Sequence, residues 1–305
     1  MKKRIPFAVA LWLITDLYFF GAIETLTTSI FILCGYWLFD ILTGTAILYI
    51  TLARGASRKN PALLSWLMAL MLLSLVPKIV AVPVLLLEDI SRLFRGFPER
   101  SKWVSELTLI VAAVPFLGLL FGLTRGRHHY RIRKETLFFN DLPDTFDGFT
   151  ITQISDIHAG GFSSQKGVEK GIALVNRQNS DLLLFTGDLV NNKASEMDRW
   201  IPAFSQLKAK YGKFSVLGNH DYGDYTKWES KAHKYANLGR LKKVHHEIGF
   251  RLLLNEAVTI ERGGKAISLI GVENWGKGRF HKYGDLAKAA ANVPDDAFKI
   301  LMSHD

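Results

Sequence analysis

Residues 214–224, FSVLGNHDYGD, run an apolar strand-like stretch directly into Gly218-Asn219-His220-Asp221. A turn there uses the glycine and tolerates the asparagine, but has no need of an imidazole and a carboxylate side by side. Other stretches end the same way. FDGFTITQISDIHAG (146–160) carries a β-rich run at 149–154 into Ser155-Asp156-Ile157-His158. SDLLLFTGDLVNN (180–192) runs into Gly187-Asp188, and an apolar run at 298–302 leads to Ser303-His304-Asp305.

Between the first and second runs, Val168, Ile172 and Val175 recur at helical spacing behind Ser163 and Ser164 as caps. A second amphipathic helix is expected at about 195–208. Strand, helix, strand, helix, strand implies right-handed crossovers and a parallel sheet. In such sheets a site forms outside the carboxyl ends of the strands. Three successive strands would therefore deliver Asp156, His158, Asp188, Asn219 and His220 to one crevice, with His304 arriving on a fourth. Carboxylate oxygen and imidazole nitrogen without thiolate suit hard or borderline divalent ions: Mn, Fe, Zn or Mg. One carboxylate can bridge two such ions, about 3.5–4 Å apart, and the pair can clamp a phosphoryl group.

These motifs resemble those of the calcineurin-like metallophosphoesterases: Asp156-Ile157-His158, Gly187-Asp188, Gly218-Asn219-His220-Asp221 and the His304 that follows a strand. The resemblance spans about 149–305. It implies a layered α-β-β-α sandwich and two divalent ions. By position, Asp156 and His158 would hold the first ion, Asp188 would bridge, and Asn219 and His304 would hold the second. His220 would not bind metal but would protonate the leaving oxygen or stabilise the phosphoryl charge, with Asp221 orienting it. The implied activity is hydrolysis of phosphate mono- or diesters by a metal-activated water. The alternative is a non-catalytic membrane protein with a degenerate phosphoesterase-like binding domain. The family's Gly-His-x-His is absent, and the sequence stops one residue after His304. We read this as a fold incomplete at its carboxyl end rather than a natural crippled site.

The first 134 residues read differently. Four apolar runs, at about 5–23, 30–53, 62–87 and 104–123, are each near or above the roughly 20 residues that cross a bilayer core. A transmembrane four-helix region at 1–124, a linker at 125–145 and a globular domain at 146–305 are therefore expected. The first run is too long, too aromatic and, with Asp16 inside it, too polar for a cleaved signal. Asp16, Asp40 and Lys78 fall within apolar runs. Pairing inside the bundle, or a place near an interface, is preferred for them over a polar pathway or a lipid-headgroup site. Cys34, the single cysteine, reads as a small buried apolar side chain.

The charge of +10 is concentrated in this half, with 16 lysines and arginines against seven acids through residue 134. The remainder is close to neutral, which argues against nucleic acid as a partner. Lys2, Lys3, Arg4, Arg54, Arg58, Lys59, Arg125, Arg127, Arg131, Arg133 and Lys134 would share one face of the membrane, against Arg92, Arg95, Arg100 and Lys102 on the other. The positive-inside rule then puts both ends and the globular half in the cytoplasm, at a bacterial inner or plasma membrane. The expected partners are the lipid bilayer and a phosphate ester; the tether suggests a lipid-linked one and would equally serve a soluble nucleotide.

Among the rest, Tyr222 and Trp228 read as packing aromatics. Glu273, Trp275 and Arg279 are candidates for a cleft-lining loop or a plain surface loop. Lys242, Lys243, His245 and His246 read as a solvated face.

Overall fold

The computed structural model describes residues 4–52, 61–278 and 280–304. Lys2, Lys3, Arg54, Arg58 and Lys59, on which the orientation reading leans, and Arg279 of the cleft loop lie outside the described residues. The chain divides into two compact units, Met1–His129 and Tyr130–Asp305.

The first unit consists of α1 (Arg4–Leu26), α2 (Ile30–Leu52), α3 (Pro61–Leu93) and α4 (Lys102–Thr124). Among the described residues, Ile30–Ile50, Leu63–Leu93 and Lys102–Thr124 are long and apolar enough to cross a membrane. Large apolar side chains face outward all round, Phe31 at 86% exposure among them, as lipid permits and water does not. Inside, Ala22, Ala46, Ala69, Ala81 and Ala112 are buried. Small residues let helix backbones approach closely where no hydrophobic drive separates lipid from protein. Cys34 is exposed on this unit, contrary to the buried position expected for it; an apolar side chain needs no protein cover where lipid is the solvent. Asp16, Asp40 and Lys78 do meet in the interior, with Lys78 Nζ bonded to both carboxylates. α3 continues past its apolar run to Leu93, where Glu88 and Asp89 take Arg100 at 2.9 and 3.0 Å and Asp89 takes Arg92 at 2.6 Å.

The second unit is an α/β domain. Its first sheet is wholly parallel, in the order β1 (Ile151–Ile154), β2 (Leu182–Phe185), β3 (Lys213–Ser215) and β4 (Arg251–Leu252). β2 is buried at every position, the continuous apolar run expected of a strand covered on both faces. The second sheet sets β5 (Glu256–Arg262) antiparallel to β6 (Lys265–Gly271), and β6 parallel to β7 (Lys299–Met302). One core cluster draws Leu182, Leu184, Phe214 and Val216 from the first sheet together with Ile260, Ile267, Leu269 and Met302 from the second. Another joins Leu183 and Phe185 to Val168 and Ile172 of α5 (Gln165–Asn176) and to Leu241 and Val244 of α7 (Lys231–Glu247). Within the expected linker, Leu142 packs against the inter-sheet cluster, and the Phe139 ring meets Phe298 at 5.2 Å.

Local chemistry sets the helix starts. Ser164 Oγ accepts from Gly167 N–H at 3.1 Å, and Ser230 Oγ from His233 N–H at 3.2 Å. The single helix expected at 195–208 is instead a 3-10 turn at Ala194–Met197 and a short α6 (Ile201–Phe204). Asn176 explains the early stop: its side chain takes Lys208 N–H at 2.9 Å and donates to the Gln206 carbonyl at 2.8 Å, bonds a continuing helix would have made itself. Between α7 and the first sheet lies His245, fully buried and bonded through Nδ1 to Ser215 Oγ at 2.9 Å. It is therefore not part of a solvated face, and burial pushes its imidazole down to about 3, leaving it neutral.

Candidate metal centre

Ile154, Phe185 and Ser215 are register partners across β1, β2 and β3, so the three strands stop in one row. The expected site residues begin two to four positions beyond that row. The loops stay tied there: Asp156 N–H donates to the Gly187 carbonyl and His158 N–H to the Asp188 carbonyl, each at 3.0 Å. His304 follows the end of β7 in the other sheet, and Trp275 N–H donates to its carbonyl at 3.2 Å.

Asp188, 3% exposed, is the hub. Its Oδ2 lies 3.5 Å from both His158 Nε2 and His304 Nε2. Its Oδ1 accepts from His220 N–H at 2.9 Å. Asp156 Oδ1 is 3.9 Å from His158 Nε2. Asn219 Oδ1 is 3.1 Å from His304 Nε2. Two groups have ligand atoms all within 4.8 Å of one another: His158, Asp188 and His220, and Asp156, Asp188 and His304. Asp188 belongs to both. The structure thus brings together all six of Asp156, His158, Asp188, Asn219, His220 and His304. The donor set fits a divalent cation: imidazoles and carboxylates without thiolate, with ligand atoms gathered within 4.8 Å.

The imidazoles are oriented by backbone. His304 Nδ1 donates to the Thr186 carbonyl and His220 Nδ1 to the Asn191 carbonyl, each at 2.8 Å. A carbonyl can only accept, so each ring keeps its Nδ1 proton and turns Nε2 toward the centre. Backbone acceptors of this kind carry no residue signature, and sequence reading missed both. It missed Tyr225 as well, whose ring lies 4.6 Å from that of His220 and whose hydroxyl takes Asn219 Nδ2–H at 2.8 Å.

Asp221 does not orient His220. Its buried carboxylate instead accepts four backbone N–H groups: Leu189 at 2.8 Å and Val190 at 3.3 Å on Oδ1, Asp188 at 3.0 Å and Gly218 at 2.9 Å on Oδ2. Those donors converge because the loops after β2 and β3 curl past each other, and a carboxylate is the side chain that accepts at every lone pair. Burial pushes its pKa up to about 7, while the backbone donors pull the other way. The cleft-loop candidates are also engaged internally. Glu273 accepts from Tyr222 hydroxyl at 2.9 Å and from Asn255 at 2.7 Å. Tyr222 stacks on Tyr283 at 3.6 Å, and Trp228 donates to the Gly223 carbonyl at 2.8 Å, so both aromatics serve packing.

Backbone geometry at the centre is unusual. Asp156, His158 and Asp188 hold φ of 53°, 45° and 60°, the left-handed region that L residues seldom occupy. Such strain persists only where surroundings impose it. Gly187 lets the two loops close. A Cβ there would fall 2.6 Å from Gly218 N and 2.9 Å from His304 Nδ1.

The comparisons agree with the geometry. The family model "Calcineurin-like phosphoesterase" matches residues 149–305, and one described as "Probable Calcineurin-like phosphoesterase, transmembrane domain" matches residues 3–127. The chain belongs to the calcineurin-like phosphoesterase family. It is similar to an uncharacterized metallophosphoesterase of Bacillus subtilis, 33% identical over 100 residues, covering 32% of this chain and 35% of that one. An uncharacterized metallophosphoesterase of Aquifex aeolicus is 28% identical over 193 residues, covering 62% and 68%. A zebrafish (Danio rerio) "transmembrane protein with metallophosphoesterase domain" is 25% identical over 205 residues, covering 65% and 44%. The chain thus spans about a third to two thirds of these curated relatives. Among solved structures, the phosphopantetheinyl hydrolase of Mycobacterium tuberculosis aligns at 18% identity, covering 47% of this chain and 49% of that one, with a TM-score of 0.28.

Two outcomes are expected. Asp221→Asn turns an N–H donor onto backbone donors and costs about 3 kcal/mol; denaturant unfolding of the metal-free protein measures it, and an unchanged midpoint contradicts the clasp. His304 supplies the second. Burial lowers its pKa, but the hydrogen bond and charge of Asp188, the Thr186 carbonyl and Asp156 outweigh that and hold it up at about 9. The raised value means that the pairing with Asp188 is complete below the ordinary 6.5 and is lost as pH rises through about 9. An incoming cation must displace that proton. Mn²⁺ affinity should therefore climb about tenfold per pH unit from 7 toward 9, measured by calorimetry with buffers of different ionisation heat. A flat affinity over that range refutes it.

Proposed function

We propose that this chain is a membrane-anchored phosphoesterase with a two-ion centre. The observation that carries the reading is the position of Asp188 Oδ2, equidistant at 3.5 Å from imidazole nitrogens that arrive from different sheets. In this reading Asp156 and His158 hold one divalent ion, Asn219 and His304 hold the other, and Asp188 belongs to both. The ions would be Mn, Fe, Zn or Mg. When bound, they would supply Lewis acidity toward a phosphoryl oxygen and lower the pKa of water.

The chain's own residues do the rest. His220, its Nδ1 proton fixed on Asn191, presents Nε2 at the mouth of the centre. The water oxygen bonds to phosphorus as the phosphorus–oxygen ester bond breaks, the departing oxygen takes the second proton that His220 would carry on Nε2, and the proton shed by the water restores it. Asp188, whose carboxyl stays below the usual carboxylate range despite its burial because His304 and the His220 N–H bind the ionised form, remains an anion throughout. Asp221 acts through the loops as a positioning residue.

The layered α-β-β-α arrangement is supported by the core cluster shared between the two sheets and by the helical cluster on the outer face of the first. The match of residues 3–127 to a transmembrane-domain model supports all four amino-terminal helices as spans. With residues 1–124 in the membrane and 146–305 as the hydrolase, the tether favours a phosphate ester carried by a lipid. The basic residues at both ends of the helical region favour a cytoplasmic hydrolase.

Two experiments test this. The purified protein, loaded with Mn²⁺, should hydrolyse p-nitrophenyl phosphate or its bis ester. Asp188→Asn should lower kcat/KM about 100-fold or more; activity unchanged by that substitution refutes the bridging role. A reporter fused after residue 140 should behave as cytosolic, and a reporter active on the opposite side overturns the orientation.

A further inference from the structure

The membrane unit carries a second cluster of ionisable side chains, unrelated to the phosphoesterase centre. Asp16 of α1, Asp40 of α2 and Lys78 of α3 are 1%, 2% and 5% exposed. Lys78 Nζ bonds Oδ1 of both aspartates, and Ser74 Oγ adds a bond to Asp40 Oδ1 at 3.3 Å. Oδ2 of Asp16 and Oδ2 of Asp40 are both buried without a hydrogen-bond partner.

Depth matters as much as contact. Asp40 stands midway along Ile30–Ile50 and Lys78 midway along Leu63–Leu93. Asp16 is likewise central in Arg4–Leu26. At 1.5 Å per residue, Asp40 is about 15 Å from either end of its span, half the thickness of a hydrocarbon core. The three groups therefore meet at the middle of the bilayer.

Charge balance there is decisive. Two carboxylates and one ammonium leave a net charge of −1 if all are ionised. The other groups facing the cluster do not offset it. Tyr36 of α2 turns its ring to Lys78 Nζ at 4.6 Å and donates its hydroxyl to the Asp16 carbonyl at 3.0 Å. Ser74 and Trp12, whose indole lies against Asp16, are neutral, and α4 has no ionisable residue between Glu106 and its end at Thr124. An uncompensated charge at mid-membrane is strongly disfavoured, and pairing relieves it only when the charges match. The ammonium already holds the point between the two carboxylates, so a further metal cation would sit against a like charge. A proton on one carboxylate removes the imbalance directly and gives a bare Oδ2 its hydrogen.

We propose that Asp16, Asp40 and Lys78 form a mid-membrane site that holds one exchangeable proton shared between the two carboxylates. The proton belongs to the pair rather than to either residue. The membrane unit thereby has a proton-binding chemistry of its own, independent of phosphate-ester hydrolysis.

Infrared spectroscopy of the full chain in lipid bilayers, at neutral pH in H₂O and D₂O, tests this. The wild type should show the carbonyl stretch of a neutral carboxylic acid that shifts in D₂O. Asp16→Asn and Asp40→Asn should each abolish that contribution, because one remaining carboxylate matches one ammonium. Lys78→Met should double it, because two unpaired carboxylates then each take a proton. A signal untouched by both asparagine variants overturns the proposal. So does one that appears only when sodium is replaced by choline, since sodium would then be the occupant. Either asparagine variant alone suffices if Lys78→Met fails to accumulate.

Discussion

The candidate centre rests on a carboxylate that faces away from it. Asp221 is buried, touches no cation among the described residues, and collects four backbone N–H groups from two loops. Three belong to the segment after β2 and one to the segment after β3. A buried charge is tolerated only when its acceptors are filled, and here filling them requires the two loops to lie against each other. That requirement brings Asp188 beside the backbone of Asn219 and His220. Gly187 and Gly218 permit the approach because either would need a Cβ inside its neighbour, Gly218 against the Asp188 carboxylate itself.

From that clasp the rest follows in order. With the loop after β2 fixed, Asp188 is held in left-handed backbone, its Oδ2 between the His158 and His304 imidazoles. The first strand's loop then zips onto it through the Asp156 and His158 amides. The second sheet adds His304 from the other side. A buried carboxylate wedged between imidazole nitrogens from separate layers is an arrangement that suits a cation-holding site.

Much of this was legible in the sequence, because strand ends and chemically active residues coincide. The four apolar runs that stop at Asp156, Asp188, Asn219 and His304 are strands by composition, and a turn alone does not call for the imidazoles and carboxylates that follow. What was not legible has physical reasons. β5 carries Glu256, Glu261 and Arg262 among its seven residues, so it lacks the apolar signature that gave β1, β2, β3 and β7 away. The broken helix near Ile201 depends on Asn176, distant in sequence. For Asp221 the family resemblance implied a partnership with His220, its neighbour in the chain, that the loop geometry does not make. The carbonyls of Thr186 and Asn191 orient both imidazoles through backbone alone. In the helical unit, the pairing of Asp16 and Asp40 with Lys78 followed from the cost of unpaired charge in lipid, whereas the exposed Cys34 did not follow, because lipid reverses the usual meaning of an apolar side chain.

The account turns on whether cations gather at Asp188. Crystals grown with manganese and measured at its absorption edge answer this without reference to any substrate. Two anomalous peaks are expected, about 3.5–4 Å apart, on either side of Asp188 Oδ2, one within reach of Asp156 and His158 and the other within reach of Asn219 and His304. Anomalous density elsewhere in the domain, with none at Asp188, would contradict it.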